Sequence, residues 1–376
     1  MNKLTSTILA SLSLLIFAGC AGSGNNTTTP TTQPTTGSTV VEPAQVTVEP
    51  IAPEVTFVTI TDFNGNVVDV PQNPTTVAIY DFGILDMLYT IGFERTGIET
   101  LILPNPDGLP DILSYFRDGN SNVNVINGGT LFYIDWDVLD IVTPEVVIKG
   151  VRSFGMNAAG DRLNAEDREA FTNSTLERYS DTAFFTLSIN TNDSDILNDM
   201  RRNAYVLAQI FPGIGDDLNA EIEKIEADMR AIAEVTSNSD MRAIFVMMTQ
   251  PTTLSVFLED SRFDFMYEEF GFNSIEMDLT TFTDQHGFDA RAEFLLEHNP
   301  DIIFLLDRTE PETGLGAATE NFLNDPIIQR TNAFINGHIY SELPMAEWYT
   351  VVGGFQAARR MIADVNRFIE AYTSQQ

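Results

Sequence analysis

From about residue 55 onward, short apolar runs rich in β-formers alternate with amphipathic stretches, the pattern of an α/β protein. Val77-Ala78-Ile79-Tyr80 predicts a buried strand. Asp81-Phe82-Gly83 then turns into a helix carrying Ile84, Leu85, Leu88 and Ile91, ended by Gly92. Further strands are predicted at Val146–Ile148, Ala183–Leu187, Ile244–Met248 and Ile302–Leu306. Helices are predicted from about Asp135 to Val142, Ser194 to Phe211, Phe263 to Phe270 and Gly353 to Ala371. The longest helical stretch is Asp216 to Val235, where Leu218, Ile222, Ile225, Met229 and Ile232 recur at spacings of three and four. About twenty residues of helix reach ~30 Å, enough for a strut between two lobes.

One phrase occurs twice. Residues 137–152 hold Asp137, Pro144-Glu145, Val146-Val147-Ile148 and Arg152; residues 293–308 hold Glu293, Pro300-Asp301, Ile302-Ile303-Phe304 and Arg308. In each copy the acid lies seven positions before the proline and the arginine eight after it, and the copies are 156 residues apart. The repeat predicts two lobes of similar build, one copy in each. Ligands of open α/β sheets bind at the carboxyl ends of strands, so Arg152 and Arg308 are placed to face each other over an anion. Arg262, in Ser261-Arg262-Phe263-Asp264-Phe265, is read as opening a helix, where a cation is unfavourable without an anionic partner.

The first residues change the picture of location. Lys3 precedes an apolar stretch from Thr5 to Ala18, followed by Gly19 and Cys20, the only cysteine of the chain. This is a signal-peptide pattern too short to span a bilayer permanently. Residues 21 to about 53 are mostly Gly, Ser, Asn, Thr and Pro, a composition that builds no core and predicts an extended tether. The remaining length, about 320 residues, suits two domains. Five segments are expected: a signal peptide at 1–19, an anchor and tether at 20–54, a first lobe at 55–215, a connecting helix at 216–238 and a second lobe at 239–376.

The formal net charge is −34. That argues against nucleic acid and anionic lipid surfaces as partners, and it makes each buried arginine more telling. It also fits a saline or alkaline habitat. Enzyme motifs are thin. There is no glycine-rich phosphate loop, no Gly-x-Ser-x-Gly elbow and no His-Glu-x-x-His, and His286, His298 and His338 are far apart in sequence.

Several segments together resemble a known family. Phe17-Ala18-Gly19-Cys20 is similar to a bacterial lipobox, with Phe17 where Leu is usual. Tyr80-Asp81-Phe82-Gly83-Ile84-Leu85-Asp86, Gly108-Leu109-Pro110-Asp111-Ile112-Leu113, Ser261-Arg262-Phe263-Asp264-Phe265, Asn324-Asp325-Pro326-Ile327-Ile328 and Trp348-Tyr349 resemble the ferric-siderophore-binding lipoproteins of ABC importers. The enterochelin- and petrobactin-type catecholate binders are the nearest subgroup. The resemblance spans roughly residues 55–372. It implies two Rossmann-like lobes joined by a single long helix, with the ligand between them, and a binding protein rather than an enzyme. It implies that Arg152, Arg262 and Arg308 hold the ligand, with Trp348 lining the cleft. Fe(III) arrives as part of the siderophore, and His286 and Tyr349 stand where subgroup members complete the iron shell. Asp137 and Glu293 stand where glutamates dock on the permease, which works with a cytoplasmic ATPase; Asp137 is one methylene shorter than the usual Glu. Cys20 is the expected lipidation site, holding a monomer to the membrane outside the cytoplasm. Haem or corrinoid binding on the same fold, and a secreted lipoprotein hydrolase, are the alternative readings.

Overall fold

The computed structural model describes residues 55–117, 119, 121–189, 195–250, 253–277, 287–309 and 317–373. An antiparallel hairpin, β1 (Phe57–Thr61) and β2 (Val67–Pro71), comes first. Then follow β3 (Thr76–Tyr80), α1 (Phe82–Thr90), β4 (Thr100–Leu103), β5 (Asn124–Asn127), α2 (Trp136–Val142), β6 (Val146–Lys149), α3 (Ala165–Arg178) and β7 (Ala183–Thr186). Among the described residues the first sheet has the order β5-β4-β3-β6-β7, every pair parallel. Helices α4 (Ile196–Ile210) and α5 (Gly215–Thr236) lead out of this lobe.

The second lobe holds β8 (Arg242–Gln250), β9 (Thr253–Phe257), β10 (Asn273–Ser274), β11 (Phe288–Ala290), α6 (Ala292–His298), β12 (Ile302–Asp307), α7 (Ala317–Asn324), α8 (Asn332–Ile335), β13 (Ile339–Tyr340) and α9 (Phe355–Thr373). Its sheet runs β11-β9-β8-β12-β13, with β10 beside the start of β8. The molecule is therefore two Rossmann-like lobes joined through the long helix α5.

The repeated phrase is a repeated structure. Helices α2 and α6 are each seven residues long. Each ends on a left-handed residue, Thr143 at φ 50° and Asn299 at φ 44°, which reverses the chain before the proline. Strands β6 and β12 follow, both fourth in their sheets and both parallel to the strand before them in that order. Arg152 and Arg308 then stand beyond the carboxyl ends of these strands.

Side-chain alternation divides the core. Val77, Ile79, Val146 and Ile148 face one way, while Ala78, Tyr80 and Val147 face the other. Both faces are apolar, as expected of parallel sheets covered on both sides. The inner faces of the two lobes do not form separate cores. Ile148, Phe245 and Phe304 share one continuous cluster with Ile222 and Met229 of α5 and Met361 and Val365 of α9. The apolar stripe predicted for α5 is almost wholly buried, each such side chain contributing about 1.5–3 kcal/mol. The last helix packs along both α5 and α1, so it reaches back to the first lobe rather than belonging to the second alone. Its start is held by Asp86 of α1, whose carboxylate accepts from the backbone of Gln356 at 2.8 Å and Ala357 at 3.2 Å, and from the Gln356 amide at 2.8 Å. Gly354 makes this approach possible, because a Cβ there would lie 2.2 Å from Asp86 Oδ2.

One predicted helix does not form. Phe263–Phe270 contains only a three-residue 3-10 turn, Asp264–Met266. Phe263, Phe265, Met266, Tyr267 and Phe270 are all buried. They point in several directions and leave no solvent stripe for an amphipathic helix. Glu269 of this segment accepts a hydrogen bond from the Ile196 backbone at 2.7 Å, at the start of α4. Its second oxygen, Oε2, is buried without a hydrogen-bond partner among the described residues.

Burial pushes the Glu269 carboxyl up to about 8, despite that hydrogen bond. A raised carboxyl favours the protonated folded state, so its stabilising effect is complete below the usual glutamate range and is lost as pH rises through about 8. Glu269→Gln keeps the acceptor and removes the charge. Denaturant melts across this range should show the variant gaining on the wild type as pH rises; parallel pH profiles would refute the assignment.

Candidate ligand cleft between the lobes

Tyr349 sits in a five-residue π-helix, Ala346–Thr350, just before α9; such turns are frequent at functional sites. Three guanidinium groups gather on its ring. The Arg308 guanidinium carbon lies 4.1 Å from the ring centroid, that of Arg262 4.4 Å and that of Arg152 5.0 Å. Arg152 also donates to the Tyr349 carbonyl at 2.9 Å. Thus one arginine from the first lobe and two from the second meet on one aromatic ring. Among the described residues no carboxylate lies within ion-pair distance of any of the three.

The electrostatics follow from this crowding. Burial lowers the Arg152 guanidinium to about 10, reinforced by the charge of Arg262 and opposed by Tyr349 and Asp81. Burial alone would raise the Tyr349 phenol; Arg262, Arg308 and Arg152 together outweigh it, so the phenol lies below its ordinary value. A guanidinium has five N–H donors, and the three like charges repel one another.

Arg262 separates two recesses. Asp81, Gly150, Arg152 and Ser188 line the one on the first lobe. Asp81 caps α1, accepting from the Gly83 and Ile84 backbones at 3.0 and 3.2 Å, and receives the Ser188 hydroxyl at 3.0 Å, so its oxygens are occupied. The recess on the second lobe is about 410 Å³ and is lined by Arg262, Arg308, Tyr349, Thr249, Ser255 and Asp289, among others. Gly287, at φ 69°, lies at its edge; a Cβ there would sit 2.4 Å from the Val256 carbonyl.

Arg152, Arg262, Arg308 and Tyr349 are therefore brought together. Arg262 does so without a helix behind it, which removes the helix-dipole argument for its role. Trp348 is not brought in. Its side chain is fully buried between Phe245 and Phe265, and its Nε1 donates to Asp364 at 2.9 Å. Its neighbour Tyr349 faces the cleft while Trp348 faces the core. Asp137 and Glu293 are exposed, each in the first turn of its helix. His286 and Cys20 lie outside the described residues. Sequence reasoning passed over Ser255, Thr249 and Asp289. The alternation Leu254-Ser255-Val256 is the signal that marks β9, with Ser255 on the cleft face.

A family model described as "Periplasmic binding protein" matches residues 173–342. The petrobactin-binding protein YclQ of Bacillus subtilis (strain 168) is 25% identical over 315 residues, covering 82% of this chain and 86% of YclQ. The crystal structure of YclQ superposes with a TM-score of 0.67 at 23% identity, covering 84% of this chain and 99% of that one. VctP, a periplasmic catecholate-siderophore binding protein from Vibrio cholerae, gives a TM-score of 0.66 at 23% identity, covering 83% of this chain and all of VctP. Both share the two-lobe fold described above. Residues 173–342 thus match the periplasmic binding protein family, and the whole described chain shares the fold of these binding proteins.

Proposed function

We propose that this protein is the extracytoplasmic substrate-binding component of an ABC importer and captures an anionic ferric siderophore, of catecholate type, between its lobes. The observation that carries this reading is the convergence of Arg152, Arg262 and Arg308 on Tyr349 with no paired carboxylate among the described residues. A ferric tris-catecholate bears about three negative charges, and guanidinium forks match its ring of oxygens. The names of YclQ and VctP, a petrobactin binder and a catecholate-siderophore binder, support the same class. The protein binds its cargo and does not transform it. Iron enters with the siderophore, and no resident cofactor is required.

Tyr349 has a second role in this reading. The three guanidinium charges hold its phenol below the ordinary value, which favours the phenolate, and phenolate is a good donor to Fe(III). With a chelate that offers only four donors, Tyr349 and His286 complete the iron shell. Asp137 and Glu293 dock on the permease. Each lies in the first turn of a helix that turns back into the strand ending near a cleft arginine. Cys20 carries the lipid anchor, and the Thr/Pro-rich tether lets a monomer reach its transporter.

Arg262→Ala and Arg308→Ala should each weaken a ferric tris-catecholate about 10- to 100-fold, the worth of a hydrogen bond to a charged group. In the same fluorescence titrations Tyr349→Phe should affect a tetradentate ferric bis-catecholate more than the hexadentate one. Unchanged affinity in both arginine variants would sink the cleft assignment. Glu293→Ala should leave affinity intact and reduce uptake of the ferric chelate by cells; normal uptake would remove its docking role.

A further inference from the structure

The cleft contains one acid whose position runs against the simplest version of an anion trap. Asp289 is the central residue of the edge strand β11, directly opposite Ser255 of β9. Its neighbours in the strand, Phe288 and Ala290, pack into the apolar cluster on the far side of the sheet. Strand alternation therefore turns Asp289 to the cleft side, with Ser255, and both line the same recess as Arg262, Arg308 and Tyr349. The chain is strongly acidic, and most of its carboxylates are solvated surface groups. Asp289 differs from them because backbone geometry holds it in the wall of the recess.

Its contacts are sparse. The Ser255 hydroxyl donates to Asp289 Oδ1 at 3.3 Å, and Asp289 joins no ion pair among the described residues. The two arginines of the same recess are turned onto the Tyr349 ring instead. Asp81, the acid on the opposite wall, is occupied by the start of α1 and by Ser188. Among the described residues no donor reaches the other oxygen, Oδ2, which is the one offered to a ligand. For a uniformly anionic ligand it is a repulsive group; for a ligand with a positive group at its edge it is an anchor.

Resting on the siderophore reading above, we propose that Asp289 is a specificity-determining residue that selects mixed-charge ferric chelates. The anionic metal centre lies against Arg152, Arg262, Arg308 and Tyr349, and a protonated amine of the chelate backbone pairs with Asp289, with Ser255 orienting the carboxylate. Chelates whose backbones lack an amine keep the arginine contacts and meet the acid unpaired.

The test compares two hexadentate ferric catecholates of equal charge at the metal, one with a polyamine backbone and one with an all-amide backbone. Both are titrated by intrinsic fluorescence against the full wild-type chain and Asp289→Asn. Wild type should favour the polyamine chelate by about three- to tenfold, the range of a partly solvated ion pair. Asp289→Asn should abolish that preference, weakening the polyamine chelate while the amide chelate holds or tightens. Equal wild-type affinities, or equal losses of both chelates in the variant, would overturn the role of Asp289 and leave the arginine cleft standing. Failure of wild type to bind either ferric chelate would overturn both. Thermal melts of the variant exclude a folding defect, since Asp289 is exposed on an edge strand.

Discussion

Three cations held on one aromatic ring are the constraint on which this molecule turns. Arg152 comes from beyond the end of β6, Arg308 from the end of β12, and Arg262 from the turn after β9, and all reach Tyr349 within 5.0 Å of its centroid. Like charges repel, and burial lowers Arg152 further from its ordinary value. The face of the tyrosine ring offsets part of that cost through its quadrupole. An anionic ligand would relieve the remainder, which supports the proposed binding site over a structural ion-pair network.

The surrounding fold keeps this arrangement in place. The inner faces of both lobes share one apolar cluster with α5 and α9, so the lobes are packed against a common spine. Asp86 caps α9 from the first lobe, and Glu269 reaches the start of α4 from the second. Asp364, fully buried, gathers Trp348, Tyr340, Arg360 and Arg367 directly beneath the turn that carries Tyr349. Such a base orients the ring before ligand arrives, and preorganisation of this kind lowers the cost of binding.

Much of this was legible in the sequence, for identifiable reasons. The strands β3, β6, β8 and β12 are central and apolar, and α5 has a clean stripe, so periodicity alone located them. The repeated Pro-to-Arg spacing survived because the same helix, turn and strand recur in both lobes. Two neighbouring strands were missed: β11, at the edge, has three residues, and β9 is antiparallel and partly polar on the cleft face. Trp348 and Tyr349 were indistinguishable as neighbouring aromatics. Only the π-turn and the buried Asp364 determine that one faces the core and the other the cleft. The helix expected at Phe263 failed because its aromatic residues are anchored on several sides at once.

In the proposed function, charge complementarity between three arginines and the chelate selects the ligand. Its most direct test is an equilibrium titration of the full chain with a ferric tris-catecholate and with a neutral ferric tris-hydroxamate, across a series of salt concentrations. The catecholate should bind at least ~100-fold tighter at low salt, with the gap narrowing as salt rises. Equal affinity for the two chelates at low salt would contradict it.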